Sequence, residues 1–243
     1  MRIMVFSDVH GNLTALEAVL QHAGKVDAYW CLGDLVGYGP DPEACVARIR
    51  SLPNLVCLQG NHDAAVTGLL PVAWFNADAR SSLEWTRQQL SSGAMKFLRQ
   101  LSPLQVLPQW DVTLVHGSLL SPLEEYLTSG ERARASLEEL RTTWGCFGHT
   151  HIPTAFVYEK GRVTMWVPQG AQVSCKVSPR SLFNPGSVGQ PRDGDPRASY
   201  AIYDTETQTW TWYRVPYHIK EVQDRIWEAG LPPRHAIRLA YGR

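Results

Sequence analysis

Apolar runs of strand length alternate with helical segments over the first sixty residues, and this alternation leaves few folds open to the chain. Residues 2–7, 28–32 and 55–58 form the apolar runs, and apolar residues with helical spacing follow Asn12 and Pro42. Strands that alternate with helices build an α/β layer around a largely parallel sheet. We therefore predict an α/β fold with a largely parallel sheet.

The segment 64–103 breaks this alternation, because its apolar residues recur with helical spacing over residues 77–90 and 94–101. We interpret it as a helical insert within a single domain that spans residues 1–243. Trp74-Phe75-Asn76 begins the insert, where it either forms one wall of a substrate pocket or serves as a plain packing element. From residue 154 we predict short strands with hairpin turns at Lys160-Gly161 and at residues 205–208, then two short helices.

The charge balance argues against two classes of partner. Lys and Arg number 23, as do Asp and Glu, so the formal net charge is zero and neither nucleic acid nor an anionic membrane is expected as a partner. No apolar run approaches the roughly 18 residues of a membrane helix, and no secretory signal is evident.

The five cysteines form no C-x-x-C pair, which predicts reduced and mostly buried thiols. We expect a soluble, cytoplasmic protein.

Five short polar segments each follow an apolar run that we interpret as a strand. Ligand sites in open α/β sheets gather outside the carboxyl ends of the strands, so side chains at five such ends can converge on one place. The segments are Asp8-Val9-His10, Gly33-Asp34, Gly60-Asn61-His62-Asp63, His116-Gly117 and Gly148-His149-Thr150-His151.

The residue types in these segments fit divalent cations, because carboxylate, imidazole and amide oxygen are their usual ligands and thiolates are absent. Asp8 and His10 are two residues apart, as are His149 and His151. In extended backbone, alternate side chains face the same side and can reach one ion or two adjacent ions. The neighbouring glycines permit tight turns. Together these features predict a binuclear cation site.

The same segments, in the same order, resemble the calcineurin-like metallophosphoesterases. Residues Gly37-Tyr38-Gly39-Pro40 and Asn184-Pro185-Gly186-Ser187-Val188-Gly189 are typical of the small bacterial and archaeal phosphodiesterase-like branch of that family. The resemblance runs over most of the chain. It implies a β-sandwich with helices on both outer faces, a four-layer α/β/β/α arrangement.

The resemblance also implies a role for each polar residue. Asp34 would bridge two metal ions, and His62 would be the catalytic histidine without binding metal. Manganese is the expected ion, with iron, zinc, nickel and cobalt as alternatives. The remaining implied ligands are Asp8, His10 and His151 for the first ion, and Asn61, His116 and His149 for the second.

Two cations about 3.5–4 Å apart can clamp the attacking and leaving oxygens of an in-line displacement, and a hydroxide held between them is the expected nucleophile. His62 would protonate the leaving oxygen or hydrogen-bond a non-bridging oxygen. Asp63 either orients His62 or caps the following helix.

Three further residues are predicted to help bind the substrate. Arg192 would pair with the substrate phosphate or its remote end, unless it is a surface arginine beside a turn. Asn184 and Ser187 are candidate substrate-binding residues, with support of the metal-binding histidines as their alternative role.

The predicted function is metal-dependent hydrolysis of phosphate esters, by a phosphodiesterase or phosphatase that acts on a small soluble substrate. A catalytically silent binding or scaffold protein, a nuclease and a protein phosphatase are the alternatives. The complete set of ligand types argues against the scaffold, and the neutral charge against the nuclease. The sequence leaves open monoester or diester preference and whether the protein forms a homo-oligomer through its aromatic C-terminal strands.

Overall fold

The computed structural model describes residues 1–243, and its strands and helices follow the predicted pattern closely. The three apolar runs predicted as strands, residues 2–7, 28–32 and 55–58, each end one residue earlier in the structure. In chain order the elements are β1 (Arg2–Phe6), α1 (Leu13–Ala23), β2 (Ala28–Cys31), α2 (Pro42–Arg50), β3 (Leu55–Cys57), α3 (Asn61–Val66), α4 (Ala77–Gln89), α5 (Ser92–Gln100), β4 (Leu104–Leu107), β5 (Val112–Val115), α6 (Gly130–Glu139), β6 (Trp144–Cys146), β7 (Thr154–Glu159), β8 (Arg162–Trp166), β9 (Gln172–Lys176), β10 (Ser181–Asn184), β11 (Ala198–Asp204), β12 (Thr209–Val215), α7 (Ile219–Glu228) and α8 (Pro233–Leu239).

The strands form two six-stranded sheets of mixed direction. The first sheet has the order β3-β2-β1-β11-β12-β9 and the second the order β4-β5-β6-β10-β7-β8. Parallel pairing is confined to β1–β2–β3 and to β5–β6–β10. The prediction of a largely parallel sheet is therefore wrong for both sheets. Tight hairpins at Lys160-Gly161 and at residues 205–208 force their flanking strands to pair antiparallel.

The two sheets pack face to face over an apolar core. Strand β1 shows how the sequence creates it, because Ile3 and Val5 face the other sheet while Met4 and Phe6 face the helices. Trp30 of β2 is fully buried in this core, and its ring lies 6.2 Å from that of Trp144 in the second sheet. The inner faces of both sheets thus share one core.

Helices cover the outer face of each sheet. Helices α1, α2, α3 and α5 share an apolar cluster with the outward residues of the first sheet, including Met4 and Phe6. Helix α6 packs Ala133 and Leu137 against the outer face of the second sheet. The four-layer α/β/β/α arrangement is therefore confirmed.

Several further expectations can now be compared with the structure. Trp210 and Trp212 of β12 lie in the core between the sheets rather than on a surface that could form an interface. The cysteines are free, and four of the five are buried. Strands β4 and β10, each four residues long, were not predicted. No helix is long and apolar enough to cross a membrane.

We expect Trp30→Ala to lower the free energy of unfolding by about 3–5 kcal/mol, because it leaves a cavity between the two sheets. Urea unfolding followed by circular dichroism measures this change. Trp74→Ala is the matched control, since the Trp74 side chain is 64% exposed and its loss should change stability little. Equal stability losses in the two variants would contradict the inter-sheet position of Trp30.

Candidate metal centre

All five predicted segments meet at one place, beyond the carboxyl ends of strands β1, β2, β3, β5 and β6. Two groups of potential metal ligands form there, and in each group the ligand atoms lie within 4.8 Å of one another. Asp34 belongs to both groups. The first group is Asp8, His10, Asp34 and His151, and the second is Asp34, His116 and His149.

The backbone of these segments is not extended, which corrects the predicted reason for their convergence. Asp8, His10, His149 and His151 all have positive φ values between 49° and 64°. Left-handed turns, rather than the alternation of an extended strand, therefore aim both side chains of each pair at the site. Residues other than glycine adopt this conformation at a cost of roughly 1–3 kcal/mol and do so most often at functional sites.

Hydrogen bonds between the loops hold this strained backbone in place. The N–H of Asp8 donates to the carbonyl of Gly33 at 3.0 Å, and the N–H of His10 donates to the carbonyl of Asp34 at 3.0 Å. The N–H of Gly189 donates in turn to the carbonyl of Asp8 at 3.0 Å. These hydrogen bonds join each loop to a neighbouring loop.

Three of the clustered histidines share one orientation. In each, Nδ1 donates a hydrogen bond to a backbone carbonyl, so Nε2 points to the centre of the cluster and presents a lone pair there when the ring is neutral. Histidines that bind metal usually have this second hydrogen bond, because it fixes the tautomer and the plane of the ring. The pairs are His10 with Val36 at 3.1 Å, His116 with Leu32 at 2.7 Å, and His151 with Gln190 at 2.6 Å.

Asp34 occupies the centre of the cluster. Its Oδ2 lies 3.5 Å from Nε2 of His10 and also 3.5 Å from Nε2 of His116. Its Oδ1 accepts a hydrogen bond from the N–H of His62 at 2.9 Å. Only glycine fits at position 60, because a Cβ there would lie 2.0 Å from Oδ1 of Asp34. One carboxylate is thus held between the two histidine groups.

Several ligand atoms in the cluster lack ordinary protein partners, which fits a pair of cations. Oδ1 of Asp8 and Nε2 of His149 are buried without a hydrogen bond. The Nε2 atoms of His10 and His151 face each other at 3.0 Å, which is a natural approach for two ligands of one ion. Oδ1 of Asn61 lies 3.2 Å from Nε2 of His116, so the amide reaches the second group as predicted.

Burial and mutual charge set the ionisation of the cluster. Burial alone would lower the pKa of His116, but the neighbouring Asp34 carboxylate raises it to about 9. Burial would raise the pKa of Asp34, yet His116 and His62 hold it well below its usual value. Burial lowers the pKa of His149 to about 3, and burial together with the charge of Asp34 raises the pKa of Asp8 to about 7.

His62 lies beside the cluster on the first turn of α3. Its ring packs against Tyr38 at 4.4 Å and against Phe75 at 5.0 Å, measured between ring centroids. Its Nδ1 is buried without a hydrogen bond, and burial lowers the pKa of the ring to about 4. Asp63 does not orient this ring, because its carboxylate accepts hydrogen bonds from the N–H groups of Gly60 and Leu35. Asp63 therefore caps α3, one of its two predicted roles.

Tyr38 is a site residue that we recognised only as part of a motif. It has a φ of 63°, its ring lies 4.6 Å from that of His10, and the guanidinium of Arg192 lies 5.8 Å above it. Arg192 is therefore next to the site, as predicted. Its Nε is buried without a partner, while another of its nitrogens donates to Gln190 at 2.8 Å.

Asn184 and Ser187 lie beneath the site and do not face the cavity beside it. The amide of Asn184 donates to the carbonyl of Gly148 at 2.8 Å and to the hydroxyl of Thr150 at 3.0 Å. The hydroxyl of Ser187 donates to the carbonyl of Asp8 at 2.8 Å. Both residues are fully buried and bonded to loops of the cluster, so their direct contact with a substrate stays a prediction. Their alternative role, support of the histidine loop, fits these contacts.

A cavity of about 280 Å³ opens beside His62 and His149. One side comes from the helical insert, and the other from the loop between β5 and α6. Tyr126 of that loop stacks on His149 with ring centroids 3.7 Å apart, a contact that no sequence signal predicted. The remaining lining residues are Tyr38, Asn61, Leu70, Trp74, Phe75, Asn76, Ala79, Leu123 and Glu124.

Comparison with known proteins gives relatives along the whole chain. A metallophosphoesterase from Sphaerobacter thermophilus, known from its crystal structure, is 42% identical, has a TM-score of 0.91 and aligns over 100% of this chain and 99% of its own. Protein MJ0912 of Methanocaldococcus jannaschii is 35% identical over 250 residues, which cover 99% of this chain and 98% of that protein. The phosphodiesterase YfcE of Escherichia coli is 26% identical over 220 residues, 85% of this chain and 89% of YfcE.

The calcineurin-like phosphoesterase superfamily domain matches residues 1–208. This match covers more than half of the chain, and the two helix-flanked sheets agree with the structure of the Sphaerobacter relative. The resemblance inferred from the five motifs is thereby confirmed. The chain belongs to the calcineurin-like phosphoesterase superfamily.

Proposed function

We propose that this protein hydrolyses phosphate esters of a small molecule at a site for two divalent cations. The observation that carries the proposal is the position of Asp34, whose Oδ2 lies 3.5 Å from one histidine of each ligand group. Two-metal phosphoesterases need such a shared anionic ligand to hold two like charges close together. Membership of a phosphoesterase superfamily and similarity to the phosphodiesterase YfcE support this reaction class.

Each of the two ligand groups would hold one ion, and Asp34 would contact both ions. The bound ions would neutralise charge on the phosphate and supply an activated water as nucleophile. We propose manganese as the ion, although iron, zinc, nickel and cobalt accept the same ligands. Asp8, His10 and His151 would hold one ion, and Asn61, His116 and His149 the other.

His62 is our candidate catalytic residue. It lines the cavity, and its buried Nδ1 makes no hydrogen bond to the protein, so the ring can serve the substrate. It would donate a proton or a hydrogen bond to an oxygen of the reacting phosphate. The close contacts of Tyr38 and Phe75 limit how far the ring can turn.

Arg192 would add positive charge at the edge of the site. Its guanidinium lies above the ring of Tyr38 and pairs with no carboxylate in the structure. An arginine with free donors next to a phosphate site can bind a non-reacting oxygen of the substrate. We propose this role for Arg192 in place of the direct contacts expected from Asn184 and Ser187.

The direct test is hydrolysis of p-nitrophenyl phosphate and bis-p-nitrophenyl phosphate by metal-stripped protein, with single divalent ions added back. We expect turnover that depends on the added ion, greatest with manganese. The ratio between the two compounds distinguishes a monoesterase from a diesterase. Lack of turnover of both compounds with every ion, while metal analysis shows ions bound, would contradict the proposal.

Asp34→Asn should abolish turnover and weaken the binding of both ions, because it removes the one shared negative charge. Loss of groups that merely support metal ligands costs about 10–100-fold in affinity, so loss of a bridging ligand should cost at least tenfold. Calorimetric titration with manganese measures the affinity. Asp224→Asn on α7 is the control, since it removes the same charge from the surface. Two ions bound with wild-type affinity in Asp34→Asn would rule out the bridging role.

His62→Ala should keep both ions and lower kcat by about 10²–10⁴, the usual range for loss of general acid–base catalysis. Steady-state kinetics and metal analysis on the same preparation measure the two effects. His218→Ala serves as the control, because this exposed histidine lies at the start of α7. If His62→Ala instead loses an ion, His62 is a ligand and its assigned role is wrong.

A further inference from the structure

Large apolar side chains are exposed on both segments that border the cavity beside His62. Trp74 on the helical insert is 64% exposed, and Tyr126 on the opposite loop is 42% exposed. Leu69 and Leu120, on the same two segments, are also exposed. Exposed apolar groups gathered around one opening mark a binding surface more often than scattered ones do.

The cavity is continuous with the proposed phosphate site. Asn61, His62 and His149 lie in its wall together with Trp74 and Tyr126, so a molecule that reacts at the metal centre must pass or fill this space. Its volume, about 280 Å³, lies near the lower end of the roughly 300–1,000 Å³ typical of small-molecule sites. A small organic group fits in this volume.

The charge of the lining excludes a second anionic group. No lysine or arginine lines the cavity, and its one acidic side chain, Glu124, is exposed to solvent. A phosphate or carboxylate placed there would lose water without gaining a cationic partner, which is unfavourable. The cationic Arg192 lies above Tyr38 and is not part of this lining.

Two aromatic side chains of the cavity, Phe75 and Tyr126, are held in place by contacts with histidine rings. Phe75 meets the edge of the His62 ring, and Asn76 caps α4 by accepting the N–H of Ala79 at 3.0 Å, which fixes the turn that carries Trp74. Tyr126 is stacked on His149. Rings held in this way bind a flat apolar group with little loss of side-chain entropy.

We infer that the cavity beside His62 binds a flat, uncharged aromatic group attached to the reacting phosphate, with Trp74 as a specificity-determining residue. This inference rests on the proposed function, because it assumes that the phosphate binds at the metal centre. It assigns the helical insert as a wall of the substrate pocket. Arg192 and the metal centre bind the phosphate, and the aromatic cavity selects what is attached to it.

Phosphonates test this inference without turnover, because they have no ester bond to hydrolyse. Calorimetric titration of manganese-loaded protein with methyl-, phenyl- and 1-naphthylphosphonate compares ligands that differ only in the attached group. We expect affinity to rise along this series by on the order of tenfold to hundredfold, as the flat apolar area in the cavity grows.

Trp74→Ala should lower the affinity for 1-naphthylphosphonate by about threefold to tenfold and leave that for methylphosphonate unchanged. Trp74→Phe should keep part of the preference, which separates ring contact from a general loss of structure. Trp227→Ala is the matched control, since Trp227 is another half-exposed tryptophan and lies on α7.

Two results would overturn the inference, and only the second would also refute the proposed function. Equal affinity for the three phosphonates, or an unchanged preference in Trp74→Ala, would refute the aromatic subsite while leaving the phosphate site intact. Failure of all three phosphonates and of inorganic phosphate to bind would refute the subsite together with the proposed function.

Discussion

The carboxylate of Asp34 links the two halves of the site, and the positions of the other side chains depend on it. Its Oδ2 lies equally far from His10, which follows β1, and from His116, which follows β5 of the other sheet. Its Oδ1 accepts the N–H of His62 and thereby fixes the start of α3. A single buried charge thus connects both sheets with the proposed catalytic histidine. Such a charge is stable in the interior only beside positive charge, which two bound cations would supply.

The sandwich gives this site a rigid support. Left-handed backbone at four proposed ligands costs free energy, and the hydrogen bonds between neighbouring loops together with the packed sheets offset that cost. Asn184 and Ser187 contribute from below by bonding to the carbonyls of Gly148 and Asp8. The ligands therefore come from strand ends, where the core fixes their positions, whereas the cavity walls come from an insert and a loop.

The residues of the cluster were predictable from the sequence because metal chemistry restricts residue type. Asp8, Asp34 and His116 follow apolar runs that can only be strands of a buried sheet, so their convergence followed from topology. The left-handed conformation was not predictable, since contacts between loops distant in sequence impose it. The antiparallel pairing of β1 with β11 could not be predicted either, because strand order beyond a hairpin depends on the whole fold.

Residues that act through others were also hard to predict. Asn184 resembles a substrate-binding residue in the sequence, yet the structure buries it under the histidine loop. Tyr126 belongs to no motif, and its stacking on His149 arises from the path of a loop between β5 and α6. In both cases the fold, rather than the residue type, determines what the side chain contacts.

Anomalous diffraction from crystals grown with manganese tests most directly whether Asp34 bridges two cations. We expect two peaks about 3.5–4 Å apart, with the Asp34 carboxylate between them. One peak should lie next to His10 and His151, and the other next to His116 and His149. A single peak, or two peaks that do not share Asp34, would contradict a pair of cations bridged by this carboxylate.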